Sequence, residues 1–393
     1  MNRSYDIVVA GLGPGGAMAA VELARAGAKV LVLDGKPGKT KPCGGCLSRR
    51  WEWLLKSLDL PEGLWRHPVD RLWLAAPGRP AAYWRTKEPS AYLVERSKFD
   101  RALAEAVLRA GAQVVRARAL DISRDNGAWL IRSSAGLHQA GWVIGAAGAG
   151  GLIARRLGLG RSALSYQAIV EERPLPDSLA AKLRNAALIE IGGVPHGYGW
   201  IFARGEVLNA GMGYWRRGRK QNGARLHTPE LVRAYEAFLA RHGLGKPGVW
   251  RGWVVPCPEG GPPRVALDRA CVVGDAASAA DPFLGEGIGQ ALYSGRLAAE
   301  AILTGDLAQY NRALAGLWRE HWHGRLMARL IYGWPGFFQA LAHRRPGAIE
   351  LGFAVLRGEL AQAKLWPAVL AKLLKRQPPL DPAARGYYSK HLN

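Results

Sequence analysis

Two glycine-rich stretches, more than 250 residues apart, constrain this chain more than any other feature. The first, Gly11-Leu12-Gly13-Pro14-Gly15-Gly16, follows a short apolar strand pattern (Tyr5 to Ala10) and precedes a helical one (Ala17 to Ala26). Glycines at Gly11, Gly13 and Gly16 let the chain turn sharply and bring its amides close to a pyrophosphate at the helix N-terminus. A second strand, Lys29 to Leu33, ends in Asp34. That carboxylate stands about 20 residues beyond the fingerprint, where an acidic side chain binds ribose hydroxyls. A glycine-rich turn with no ligand is the alternative; strand, helix and Asp34 together weigh against it.

The second stretch has its own logic. Cys271-Val272-Val273 is an apolar strand ending at Gly274, which puts Asp275 at its C-terminal mouth, where open α/β sheets bind ligands. An acidic group there can accept a hydrogen bond from a ribityl hydroxyl. Gly285, Gly287, Ile288 and Gly289 then open a helix over Gln290 to Leu303. Its amides and positive dipole end can face the pyrimidine side of an isoalloxazine. The competing reading is an Asp that merely caps a helix. One GxGxxG is weak evidence, but the pair points to FAD.

Further blocks carry a resemblance. They are Lys41-Pro42-Cys43-Gly44-Gly45, Arg96-Ser97-Lys98-Phe99-Asp100, and Tyr198-Gly199-Trp200-Ile201-Phe202 with Gly211-Met212-Gly213. With the two glycine stretches, in this order over roughly residues 5 to 310, the chain resembles the geranylgeranyl reductase family. That family is a branch of the flavoprotein hydroxylase-like superfamily. The Lys-Pro-Cys-Gly-Gly and Tyr-x-Trp-x-Phe blocks discriminate it from general flavin hydroxylases. The resemblance implies that Cys43, Gly44 and Gly45 form a loop flanking flavin and substrate. It implies that Arg96 holds FAD and that Tyr198, Trp200 and Phe202 border a lipid pocket. Read from the residues alone, Arg96 could instead form a surface ion pair with Asp100. The three aromatics alternate as on a strand and so share a face, which could equally be a core stripe.

The activity implied is hydrogenation of an isolated C=C bond of an isoprenoid or other apolar lipid-like substrate. Hydride comes from the flavin and a proton from an acid, for which Cys43, Tyr198 and the flavin itself all remain candidates. Two departures concern the donor and the substrate. Ala203 stands where the family has Pro, and Ala147 where the superfamily usually has Asp. The donor, NAD(P)H or a reduced ferredoxin-type protein, is therefore left open. The rival function is a flavin-dependent monooxygenase acting on an aromatic substrate or a peptide side chain. A third reading takes Cys43-Gly44-Gly45-Cys46 as a flavin-linked dithiol/disulfide enzyme. It lacks a second nucleotide fingerprint and a C-terminal His-Glu pair. No metal site is expected, since Cys257 and Cys271 stand alone.

These motifs suggest an α/β fold. A Rossmann-like FAD-binding domain would comprise residues 1–60, 94–160 and 260–312. A discontinuous antiparallel-sheet substrate domain would comprise 61–93 and 161–259, followed by a C-terminal helical tail over 313–393. Met1-Asn2-Arg3-Ser4 leads straight into a strand and no uncharged apolar run approaches ~18 residues, so neither a signal peptide nor a membrane span is expected. Four cysteines without framework spacing suit a reducing, cytoplasmic setting. The formal charge of +23 is spread along the chain without a recognition motif, which disfavours nucleic acid as a partner. Residues 319–393 hold 12 Lys or Arg against 4 Asp or Glu. Within them Lys364 to Arg376 reads as a basic amphipathic helix, fit either to attach to the inner face of an anionic membrane or to pack on the protein.

Overall fold

The computed structural model describes residues 3–37, 41–162, 164–217, 229–258 and 262–374. Its first sheet is built on five parallel strands in the order Ala270–Val272, Gly136–Gly145, Arg3–Ala10, Val30–Leu33 and Gln113–Val115. Val30–Leu33 is buried on both faces, as an all-apolar parallel strand requires. Helix Pro14–Arg25 follows the fingerprint, and helix Ile288–Leu303 packs along it. The two touch backbone to backbone, because a Cβ on Gly295 would lie 2.2 Å from the Gly15 carbonyl oxygen. The two glycine stretches of the sequence thus meet in space.

A seven-stranded sheet stands beside this layer, in the order Trp250–Cys257, Leu164–Pro174, Val207–Arg217, Gly197–Arg204, Ala186–Ile191, Arg71–Ala76 and Arg79–Arg85. It is antiparallel except where Ala186–Ile191 runs parallel to Arg71–Ala76, a crossover an all-antiparallel reading misses. A small sheet of Cys46–Ser48, Ala91–Leu93 and His67–Val69 lies next to the two.

The C-terminal region departs from a separate tail. Helix Leu307–Gly333 runs through the boundary expected after residue 312. Helices Pro335–Arg344, Pro346–Arg357 and Leu365–Leu374 follow it. In the last of these, Leu365 and Val369 are buried against the protein, so these apolar positions are not free to enter a membrane. Lys375 and Arg376, which completed the expected basic helix, lie outside the described residues. Among the described residues, no helix is long and apolar enough to cross a membrane.

Candidate active site

One cavity of about 1160 Å³ runs from the fingerprint loop to the C-terminal helices. A site for one drug-sized ligand occupies ~300–1,000 Å³, so there is room for a cofactor and a second molecule.

The cofactor end is made largely of backbone. Gly11 has φ +117°, and a Cβ there would lie 2.4 Å from the Ala146 carbonyl oxygen. A Cβ on Gly16 would lie 2.1 Å from the Gly11 carbonyl oxygen, whereas Gly13 has nothing among the described residues within 4 Å and opens onto the cavity. Asp34 accepts the Leu12 amide at 2.8 Å and the Lys36 amide at 2.8 Å. It ties the fingerprint to the strand end, and each oxygen keeps a lone pair for a further donor. Asp275, almost buried, pairs with Lys41, a partner the sequence reading did not supply. The Lys41 ammonium also lies 5.4 Å from the Trp253 ring centre. Gly274, Gly285, Gly287 and Ile288 line the same end. Helix Ile288–Leu303 starts there without a side-chain cap, so its first amides are available to an acceptor. Gly289 does something else: a Cβ on it would lie 2.0 Å from Trp51, so it serves packing.

The Cys43 loop joins the two ends. The Gly45 amide donates to Cys43 Sγ at 3.3 Å. A Cβ on Gly44 would lie 3.0 Å from Trp200 Nε1 and 3.1 Å from Phe202. Asn209, buried, donates from Nδ2 to the Cys43 carbonyl at 3.0 Å and accepts from Trp200 Nε1 at 2.9 Å. The sequence reading missed Asn209; its signal was a lone amide inside the apolar strand Val207 to Gly211. Arg96 is buried and makes two 3.0 Å bonds to Asp100. The ion pair read as a surface feature therefore exists, but inside the protein. Burial works against the Arg96 charge, and Asp100 and then Cys43 more than offset it, so its pKa rises. The Cys46 thiol is pushed up to about 12 by burial, then by Glu286 and Cys43. Glu286 in turn accepts from the Ser48 amide and hydroxyl, both at 2.7 Å. Both cysteines of the CxxC are free thiols, and Cys46 is held protonated.

The apolar end is made of side chains. Tyr198, Trp200 and Phe202 all line it, as their alternation requires. Tyr198 Oη donates to the Leu284 carbonyl, and Tyr332 Oη to the Phe283 carbonyl at 2.6 Å. Tyr198 stacks on Tyr332 with ring centres 5.9 Å apart, and burial raises its pKa. Its proton is committed to a backbone acceptor. The opposite wall, unforeseen, comes from the C-terminal helices through Ile331, Phe338, Leu341, Phe353, Leu365 and Val369.

A tight glycine turn, an acidic strand end, open space at Gly13 and an uncapped helix start fit FAD at the cofactor end. The fold and site define an FAD-dependent oxidoreductase. Residues 6–156 match the FAD dependent oxidoreductase family. The chain is 30% identical over 327 residues to digeranylgeranylglycerophospholipid reductase of Methanothrix thermoacetophila, covering 77% of this chain and 79% of that one. It is 30% identical over 334 residues to geranylgeranyl diphosphate reductase of Rhodobacter capsulatus, covering 81% of each. A geranylgeranyl bacteriochlorophyll reductase-like protein from Thermoplasma acidophilum shares the fold with TM-score 0.71 at 23% identity, over 99% of this chain and 96% of that one. The chain belongs to the geranylgeranyl reductase family of FAD-dependent oxidoreductases.

Proposed function

We propose that this enzyme reduces isolated C=C bonds in an isoprenoid or similar apolar lipid chain. The observation that carries the reading is the interlock at Asn209. It binds Trp200 of the aromatic strand to the Cys43 carbonyl, so the two family-specific blocks act as one unit between cofactor and substrate. The names of two equally similar relatives support an isoprenoid chain and differ in headgroup, one phospholipid and one diphosphate.

Reduced FAD supplies the hydride when bound. The chain's own residues manage water, charge and the proton. Tyr198, Trp200 and Phe202 keep the alkene dry, and their ring faces tolerate the positive charge that develops on a carbon without a neighbouring carbonyl. Tyr198 spends its hydroxyl proton on Leu284, and the half-buried Cys46 beside Glu286 holds its proton, its pKa pushed up to about 12. We therefore assign the proton to Cys43 Sγ. The Gly45 amide donates to this sulfur, and Arg96 interacts with it electrostatically.

We place contact with an anionic lipid surface on helix Pro335–Arg344 and its ends. Trp334 and Phe337 are exposed there, His343, Arg344 and Arg345 follow, and the helix carries no acidic residue. Phe337 packs edge-on against Phe338, with centres 5.3 Å apart, and Phe338 lines the cavity.

The test is anaerobic. The FAD is reduced chemically, the protein is mixed with geranylgeranyl diphosphate or a lipid bearing that chain, and flavin absorbance is followed. Reoxidation without oxygen, with two hydrogens gained per bond reduced, is the expected result. A flavin that stays reduced until oxygen enters would overturn the reading in favour of a monooxygenase. NAD(P)H and a reduced ferredoxin are then compared as donors.

A further inference from the structure

Helix Pro346–Arg357 has 12 residues and carries Gly352 near its middle. Interior helical glycine is unfavourable relative to alanine, because it loses more backbone freedom on folding. Such a glycine is usually held in place by a close neighbour. In this protein Gly289 has Trp51 at 2.0 Å from its Cβ position, and Gly324 has Gln362 at 2.6 Å. At Gly352 nothing among the described residues lies within 4 Å. Gly316 and Gly333 have equally empty surroundings, but they are exposed on the protein surface. Gly352 lines the cavity.

Its helix shows which way a side chain there would point. Ile349, Phe353 and Leu356 also line the cavity. With Gly352 they stand at i, i+3, i+4 and i+7, which is one helical face. Gly352 is a gap in an otherwise continuous apolar stripe, and the gap opens on the lumen.

We infer that Gly352 is a notch in the cavity wall that receives part of the substrate's apolar chain and so sets the chain length the enzyme accepts. The inference rests on the isoprenoid reading above and assigns a specificity role within it. The isobutyl group of leucine is nearly the size of one isoprene unit. Leucine at this position therefore removes about one unit of space while favouring the helix.

The experiment uses the FAD-loaded, oxidised enzyme and measures binding rather than turnover. Geranyl diphosphate and geranylgeranyl diphosphate are titrated below their aggregation limits, with tryptophan fluorescence as the readout. Gly352→Leu is expected to bind the short chain like the wild type and the long chain roughly tenfold or more weakly, the discrimination one small apolar group gives. Gly352→Ala should melt at a higher temperature and bind the long chain with an affinity between those of the wild type and Gly352→Leu. Gly352→Met repeats the test with a flexible side chain should leucine impair folding. Equal binding of both chains by Gly352→Leu overturns the inference. So does an equal loss of both in a variant that keeps its FAD and its melting temperature. If the wild type itself binds neither diphosphate nor a phospholipid bearing the geranylgeranyl chain, the isoprenoid reading fails, and the chain-length role fails with it.

Discussion

The two ends of the cavity are built from different material. At the cofactor end, Gly11 and Gly16 are glycines because neighbouring backbone occupies the place of a Cβ. Charged partners there, Asp34 and the Lys41–Asp275 pair, hold loops to strand ends. At the other end the wall is side chains, from the aromatic strand on one side and the C-terminal helices on the other. A site made of backbone admits few residues at each position, whereas an apolar wall admits many of about the right size. Substitutions should therefore be drastic and position-specific at the first end, and graded by volume at the second.

The sharpest break of that contrast lies within the fingerprint itself. Gly11→Ala meets both a left-handed φ and the Ala146 carbonyl, and we expect a loss of about 3 kcal/mol or more in urea unfolding. Gly13 has extended backbone and open space around it, so Gly13→Val should fold with near wild-type stability. It should nevertheless purify without FAD, read from the flavin-to-protein absorbance ratio. Wild-type FAD content in Gly13→Val would mean that this loop does not face the cofactor.

Where the two ends join, the cysteines separate chemistry from packing. Cys43→Ala should retain FAD and lose ~10²–10⁴-fold in the rate of alkene reduction, the range of a lost general acid. Cys46→Ala, which removes a thiol pushed up to about 12, should stay within a few-fold of wild type. Equal defects in both would revive the dithiol reading.

The same contrast explains what could be read from the sequence. Spaced glycines, Asp34 and the Gly274-Asp275 pair were legible because a sharp strand-to-helix turn calls for glycine, and a carboxylate at a strand's end offers an acceptor to hydroxyls, each at a fixed interval along the chain. Lys41 was not legible as the partner of Asp275, because a pairing across 234 residues leaves no spacing pattern. Gly289 looked like part of the cofactor loop, yet it is kept small by Trp51. Tyr198, Trp200 and Phe202 were legible through their alternation. The helical wall from Ile331 to Val369 was not, since an apolar stripe has the same periodicity whether it covers a core or a lumen. A lone polar atom such as Asn209, or a missing side chain such as Gly352, is what marks the difference.

Acid should loosen the apolar end through His321, which sits on the helix carrying Ile331 and Tyr332. Burial, and next Arg50, push its pKa down to about 3, and neither ring nitrogen has a hydrogen-bond partner among the described residues. An unfolded histidine titrates near ~6.5. As pH falls from ~6.5 towards 3, the unfolded chain takes up a proton that the folded one refuses, so stability is lost by up to ~1.4 kcal/mol per pH unit. Above ~6.5 the group has no effect on the slope. His321→Leu should flatten this part of the pH profile and cost little at neutral pH, as urea melts of both proteins would show.

The smallest effect tests how far the apolar end reaches. Trp334 and Phe337 are exposed, so serines there should leave melting temperature and FAD content unchanged while weakening sedimentation with anionic vesicles. Arg344→Gln should weaken it about fivefold, the equivalent of ~1 kcal/mol for one basic residue at an anionic surface, and should matter less on zwitterionic vesicles. The aromatic path from Phe337 to Phe338 gives this face a second readout. Reduction of a substrate held in the bilayer should fall with the serine variant, while a short, water-soluble isoprenoid should be reduced as before. Loss of both would mean that the substitutions disturb the cavity rather than its approach. Vesicle binding that survives all three changes would move the contact to the basic residues from Lys375 onward, and the apolar end would then draw its substrate from solution.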